Sequence, residues 1–228
     1  MAHWNKHWNT SRVHQEILEV WAHKFITEYE KISHFSSSDI VLDFGAGRGD
    51  VSLLLASKVA KVYLYDTSPA FQKALATRCA SIPNACVIND PAVISNTVSL
   101  ILVNSVIQYL SSAEVTQMFS HFRRISDQHT KIIIADILPL GYSKIPDALH
   151  LIVSGIRNGY IREFMANMIS CLIFSPELSL KSSSLQMYDY TTLAEIASQE
   201  GFSCRKLPDN FTSSQLRYTI QCTLRQAA

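Results

Sequence analysis

The stretch Val41-Leu42-Asp43-Phe44-Gly45-Ala46-Gly47-Arg48-Gly49-Asp50 holds the residues with the clearest chemical purpose. Three alternate glycines lie between an apolar run and a helical one. Glycine there lets the backbone adopt positive φ and come into contact with a ligand. Asp66 ends the next apolar run, 21 residues after Gly45. A carboxylate so placed can accept hydrogen bonds from both hydroxyls of a ribose. The loop reads G-x-G-x-G, not the dinucleotide G-x-G-x-x-G, and the absence of a following G-K-[ST] excludes a P-loop. Asp43 and Asp50 flank the glycines and would repel a pyrophosphate at the helix N-terminus. A nucleoside ligand without phosphates and with net positive charge suits this loop better, and S-adenosylmethionine has both properties.

These residues need elements to position them. Hydrophobic periodicity predicts a helix over 12–32, with Val13, Ile17, Leu18, Trp21, Phe25, Ile26 and Tyr29 at helical spacing and Thr10 or Ser11 as cap. The chain then alternates. Strands are expected at 40–44, 61–65, 85–88, 98–103 and 131–135, with helices at 50–60, 69–81 and 112–126 between them. This order implies a doubly wound, mostly parallel α/β sheet covered on both faces. A long amphipathic stretch follows over 145–174. Leu149, Ile152, Val153, Ile156, Tyr160, Phe164, Met168 and Leu172 share its apolar face, and Gly155 and Gly159 weaken it. A helix over 191–200, stopped by Gly201, and strands at 202–207 and 217–224 close the chain. The organisation expected is an N-terminal helical lid over 1–38 and a main domain over 39–228, with a helical insert at about 140–185.

Composition excludes other classes. Of the 228 residues, 47% are hydrophobic and 17% charged, against roughly 25% charged in average soluble chains. The net charge of +1 lacks the basic excess that displaces counterions from nucleic acid. Disorder would need low hydrophobicity and high net charge. Residues 91–113 carry no charge, but Asn96, Thr97, Asn104, Gln108 and five serines make them a buried strand and its flanks, not a membrane span. The cysteines Cys79, Cys86, Cys171, Cys204 and Cys222 are odd in number and lack C-x-x-C spacing. Reduced thiols and a cytoplasmic location are the expectation, and the first residues carry no apolar signal region.

With these elements in place, the chain resembles the class I S-adenosylmethionine-dependent methyltransferases. Asp43, Gly45, Gly47 and Gly49 match the family's D-x-G-x-G-x-G motif, Asp66 its second-strand acid and Asp90 its third-strand acid for the adenine amino group. The run Leu100-Ile101-Leu102-Val103-Asn104-Ser105-Val106-Ile107-Gln108-Tyr109 resembles the family's fourth strand, with a continuation frequent in methyltransferases of natural-product assembly lines. Gly201-Phe202 and two closing strands resemble the family's reversed seventh strand. The resemblance implies a seven-stranded Rossmann-like sheet of order 3-2-1-4-5-7-6, with strand seven antiparallel. It implies S-adenosylmethionine as cofactor, held by Asp43, Gly45, Ala46, Gly47, Gly49, Asp66, Thr67, Asp90, Asn104 and Ser105, with Trp8 on an aromatic lid. One departure stands out: the residue after the acid, whose backbone N–H contacts an adenine ring nitrogen in many members, is Pro91 here and has none. The Asn89 side chain is the substitute considered.

The acceptor side is less defined. Methyl transfer needs alignment and exclusion of water more than it needs a base. His150 on the insert is the first candidate for a general base, then Tyr109, with Tyr188 and Tyr190 behind. Asp136, ending the fifth strand, is one acid and weak evidence for a metal, and His3 and His7 lack a third ligand in register. No metal is therefore expected. The function expected is methyl transfer to a small, fairly apolar molecule in biosynthesis, with no nucleic-acid or membrane partner and a homodimer through the 145–174 face. Two alternatives remain: a catalytically silent partner-binding protein of the same fold, and a spermidine-synthase-like transfer enzyme, which would need more acids in the insert.

Overall fold

The computed structural model describes residues 15–95, 97–162, 164–165 and 185–225. Its strands are β1 (Ile40–Phe44), β2 (Lys61–Tyr65), β3 (Ala85–Ile88), β4 (Leu100–Asn104), β5 (Lys131–Ile137), β6 (Phe202–Lys206) and β7 (Tyr218–Leu224). They form one sheet in the order β3-β2-β1-β4-β5-β7-β6. The first five pair in parallel, and β7 runs antiparallel to both β5 and β6. This is the topology the resemblance implied.

Alternation along the inner strands sends side chains to two dry faces. Leu42, Ile101, Val103, Ile132 and Ile134 join one core with Phe119 and Phe122 of α4 (Ser112–Ile125) and with Leu193 and Ile196 of the helix at Tyr190–Gln199. Val41, Val62, Leu64, Leu100, Leu102 and Ile133 join the other with Phe25 of α1 (Gln15–Glu30), Leu55 of α2 (Asp50–Leu55) and Leu75 of α3 (Pro69–Cys79). Two further helices are α5 (Lys144–Arg157) and α6 (Tyr190–Gln199). Helix starts follow local capping chemistry. Ser111 and Glu114 form a reciprocal capping box on α4, Ser68 caps α3, and the Asp189 carboxylate caps α6. Between β3 and β4 the chain makes only a single 3₁₀ turn, Pro91–Val93.

Four expectations change or move. The run expected over 145–174 divides: α5 stops at Arg157, and Gly159 takes φ 78°, which no continuing helix can follow. Its apolar residues also divide. Ile145, Leu149, Val153 and Ile156 are exposed along one side. Tyr160 and Phe164 are buried beneath Leu18, Trp21, Leu151 and Ile152, so the insert packs on α1. The rest of that run, including Met168 and Leu172, lies outside the described residues.

The all-thiol reading is corrected as well: Cys204 and Cys222 form a disulfide, and Cys79 and Cys86 are free. Cysteines 18 residues apart carry no local signature. They meet because the β6–β7 register sets them directly opposite. The thiol argument for a cytoplasmic location loses its support with this pair. The uncharged run over 91–113 becomes the 3₁₀ turn, β4, a second 3₁₀ turn at Ile107–Tyr109 and the first residues of α4. Among the described residues no helix is long and apolar enough to cross a membrane. Trp8, His3, His7, Thr10 and Ser11 lie outside the described residues.

Candidate active site

The carboxyl ends of β1, β2 and β4 open onto a cavity of about 670 Å³. The glycine loop forms one wall. The backbone N–H groups of Gly45 and Ala46 both donate to the Tyr65 carbonyl, at 2.8 and 2.9 Å, which clamps the loop to β2. The Gly47 N–H donates to Asp66 Oδ2 at 2.9 Å and the Ser68 N–H to Oδ1 at 2.8 Å. Asp66 therefore shapes the loop, and its carboxylate, with about four lone-pair sites, keeps acceptor capacity in the cavity it lines. Burial raises its pKa, and the Ser68, Gly47 and Thr67 N–H groups pull it back. Gly45, at φ 79°, approaches the segment after β4 so closely that a Cβ would stand 2.3 Å from Val106 Cγ2.

Asp43, Gly45, Ala46, Gly47, Asp66, Thr67, Asp90, Asn104 and Ser105 line the cavity, as expected. Two expected residues do not. Gly49 turns away, and a Cβ there would strike Leu75 and Leu64, so its role is to pack the start of α2 against α3 and β2. Asn89 is exposed and not part of the lining, so it does not replace the missing Pro91 N–H. Asp50, expected only as a flanking charge, pairs with Arg78 at 2.7 Å.

Asp43 is buried and accepts a hydrogen bond from Ser52 Oγ at 2.6 Å. Burial, helped by Asp66 and Asp50 and opposed by the Ser52 hydroxyl, raises its pKa to about 7. In the cavity lining the acids Asp43, Asp50, Asp66, Asp90 and Glu114 outnumber Arg48 and Arg124, which suits a cationic ligand. Asn104 Oδ1 is a buried acceptor at the end of β4 with no partner among the described residues. A second orphan lies overhead: Trp21 Nε1 of α1 is buried and has no partner among the described residues, and Leu18, Trp21 and Ala22 roof the cavity. The amphipathic pattern put Trp21 on the apolar stripe but gave no sign that its indole reaches the ligand space.

Of the catalytic candidates, Tyr109 lines the cavity and His150 does not. Burial lifts the Tyr109 phenol to about 12, with Gln108 and Arg217 acting against it and Asp136 and Tyr142 with it. At neutral pH it is a phenol and donates a hydrogen bond instead of removing a proton. Tyr188 and Tyr190 donate to the Leu110 and Cys204 carbonyls, each at 2.6 Å, and have structural roles. Asp136 is not placed to hold a metal. It accepts from the hydroxyls of Ser105 and Thr212 and from Arg217 Nη1 at 2.6 Å. Burial would raise its pKa, and the Arg217 guanidinium reverses this, holding it below the ordinary range. Asp136 and Ser105 both adopt positive φ, 66° and 57°, and this network holds them there.

Residues 41–128 match a family model described as a methyltransferase domain. Several solved structures share the fold. Magnesium protoporphyrin IX methyltransferase from Synechocystis PCC 6803 with bound SAM is 15% identical, with TM-score 0.54, covering 93% of this chain and 80% of that one. A SAM-dependent methyltransferase from Leishmania major is 12% identical, with TM-score 0.62, covering 97% and 81%. The N,N-8-amino-8-demethyl-D-riboflavin dimethyltransferase RosA from Streptomyces davawensis is 14% identical, with TM-score 0.59, covering 90% and 54%. No curated protein sequence matches the chain. The matched residues hold the glycine loop, Asp66 and Asn104, and the order of the sheet is the one the resemblance implied. The residues present fit S-adenosylmethionine: a glycine loop open to the cavity, a carboxylate for the ribose, a buried acid and an amide oxygen without a partner among the described residues for the cationic end.

Proposed function

We propose that this chain transfers a methyl group from S-adenosylmethionine to a small, fairly apolar acceptor in a biosynthetic pathway. The observation that carries the reading is one continuous cavity, running from the glycine loop and Asp66 to the roof made by Leu18 and Trp21. Its volume lies within the roughly 300–1,000 Å³ range of small-molecule sites. S-adenosylmethionine supplies an activated methyl on a sulfonium. Asp66 and the Gly47 region fix the nucleoside, and Asp43 and Asn104 Oδ1 face the charged end. The apolar roof excludes water and Tyr109 orients the acceptor by donating a hydrogen bond. With Tyr109 protonated and His150 away from the lining, a base-free transfer to an already nucleophilic atom fits the site best. The atom type (O, N or C) is left to the acceptor.

The lid over residues 1–38 is supported in part, because the described half of it, α1, roofs the cavity. A homodimer through the insert draws support from the exposed side Ile145, Leu149, Val153 and Ile156. The same side favours a second reading, a silent binding protein, which would bind cofactor without turnover. Calorimetric titration with S-adenosylmethionine and S-adenosylhomocysteine tests the proposal. The wild type should bind both, Asp66→Ala should lose at least about tenfold in affinity, which corresponds to about 1.4 kcal/mol, and methyl label should pass to a low-mass fraction. Absent binding to the wild type, or unchanged binding in Asp66→Ala, would overturn it.

A further inference from the structure

At the β3 end of the cavity the backbone after Asp90 offers a nucleobase no free N–H. Pro91 has no N–H, and the N–H groups of Ala92 and Val93 are turned back onto Asp90, at 2.8 Å to its carboxylate and 3.2 Å to its carbonyl. Because only a 3₁₀ turn separates β3 from β4, α4 borders this end directly. Met118 and His121 of α4 line the cavity together with Asp90, Pro91 and Ala92.

The hydrogen bonding of His121 fixes its tautomer. Arg124 Nη2 lies 2.8 Å from His121 Nδ1. A guanidinium can only donate, so Nδ1 accepts and the ring proton sits on Nε2. Nε2 is buried beside the Pro91 carbonyl but makes no well-aligned hydrogen bond among the described residues. Burial and the Arg124 charge lower the His121 pKa, with the Pro91 carbonyl and Asp90 pulling it up, so the ring is neutral near pH 7. The cavity end therefore shows a carboxylate acceptor beside a neutral N–H donor. Adenine shows the complement: an amino donor beside a ring-nitrogen acceptor.

We propose that His121 Nε2–H donates to the adenine ring nitrogen next to the amino group, replacing the backbone donor that Pro91 lacks, while Asp90 accepts from the amino group. His121 thus becomes a specificity-determining residue for the base. The inference rests on the cofactor reading above. A buried donor with only a poorly aligned partner is a cost to the free protein, and the base lowers it on binding.

The test is calorimetric titration of the full chain with S-adenosylhomocysteine and S-inosylhomocysteine, in the wild type, His121→Phe and His121→Gln. Inosine carries hydrogen on the ring nitrogen and a carbonyl in place of the amino group, so it mismatches both groups. The wild type should prefer the adenosyl compound. His121→Phe should weaken that compound by about tenfold and leave the inosyl compound nearly unchanged, narrowing the preference. His121→Gln, which keeps a donor, should recover part of the loss. Equal losses for both compounds, or none, would overturn the inference with the cofactor reading intact. A wild type that binds neither overturns both.

Discussion

At the scale of single residues, the most informative group is Asp43. Its pKa of about 7 lies above the ordinary 3.8 because burial penalises the charge. A carboxyl raised in the folded state keeps its proton longer there than in the unfolded chain. Its contribution therefore favours folding at low pH and is lost as pH rises from about 4 through about 7. A cationic ligand reverses that preference by stabilising the carboxylate. Binding of S-adenosylmethionine near pH 6.5, just below the Asp43 pKa of about 7, should release up to about one proton. Affinity should climb with pH and level off above that point. Titrations in buffers of different ionisation enthalpy measure the proton directly, and Asp43→Asn should abolish its release. Binding that releases no proton would show that the cationic end lies elsewhere. The glycine spacing disclosed Asp43 as a member of the loop, but its charge state depends on burial beside Asp66 and Asp50, which no spacing records.

At the scale of elements, the strands and the order of the sheet could be read because their signals are local. Apolar runs of four to seven residues, Ser111 with Glu114, and Gly201 after α6 each announce a boundary within a few residues of it. What could not be read depends on register or on partners far along the chain. The Cys204–Cys222 pair exists only once β6 lies beside β7. The division of the insert follows from Gly159 and from the packing of Tyr160 and Phe164 on α1, although period alone predicts a single face. The polar side of α4 that reaches the cavity, including His121, reads as an ordinary solvated face until the short β3–β4 connection brings it to the ligand. The joint between β5, α5 and β7 is another such case. Arg217 donates to Asp136 and Asp147, whose side chains are 4% and 3% exposed, and Ser214 also donates to Asp147. Arg217→Met should destabilise the fold by about 3–5 kcal/mol, since it strands two buried acids. Denaturant midpoints measure this, and a loss below about 1 kcal/mol would show the joint to be solvated rather than buried.

At the scale of the whole molecule, the cavity is built from segments between α1 and α4 that belong to both core faces. Ligand binding should therefore stabilise the fold as a unit, not one lobe of it. At a ligand concentration 100 times Kd the gain is about 2.7 kcal/mol, which for a chain of this size raises Tm by roughly 5–10 °C. Thermal unfolding with S-adenosylhomocysteine should show one transition displaced by that amount, and Asp66→Ala should reduce the displacement. A second transition that stays in place would show that part of the sheet unfolds independently of the site. The low charge of the sequence has its physical origin here too, because five parallel strands dry on both faces leave few positions where a charge could be solvated.

The order of the sheet also bears on synthesis. Of the seven strands, β7 leaves the ribosome last, yet its place is inside the sheet between β5 and β6. Until it arrives, β5 has an open edge and Asp136 and Asp147 have no guanidinium to neutralise them. The nascent chain therefore carries a nearly complete glycine loop that cannot yet be held by a finished sheet. A chain stalled before Arg217 would therefore present the open edge of β5 and two unneutralised acids to chaperones.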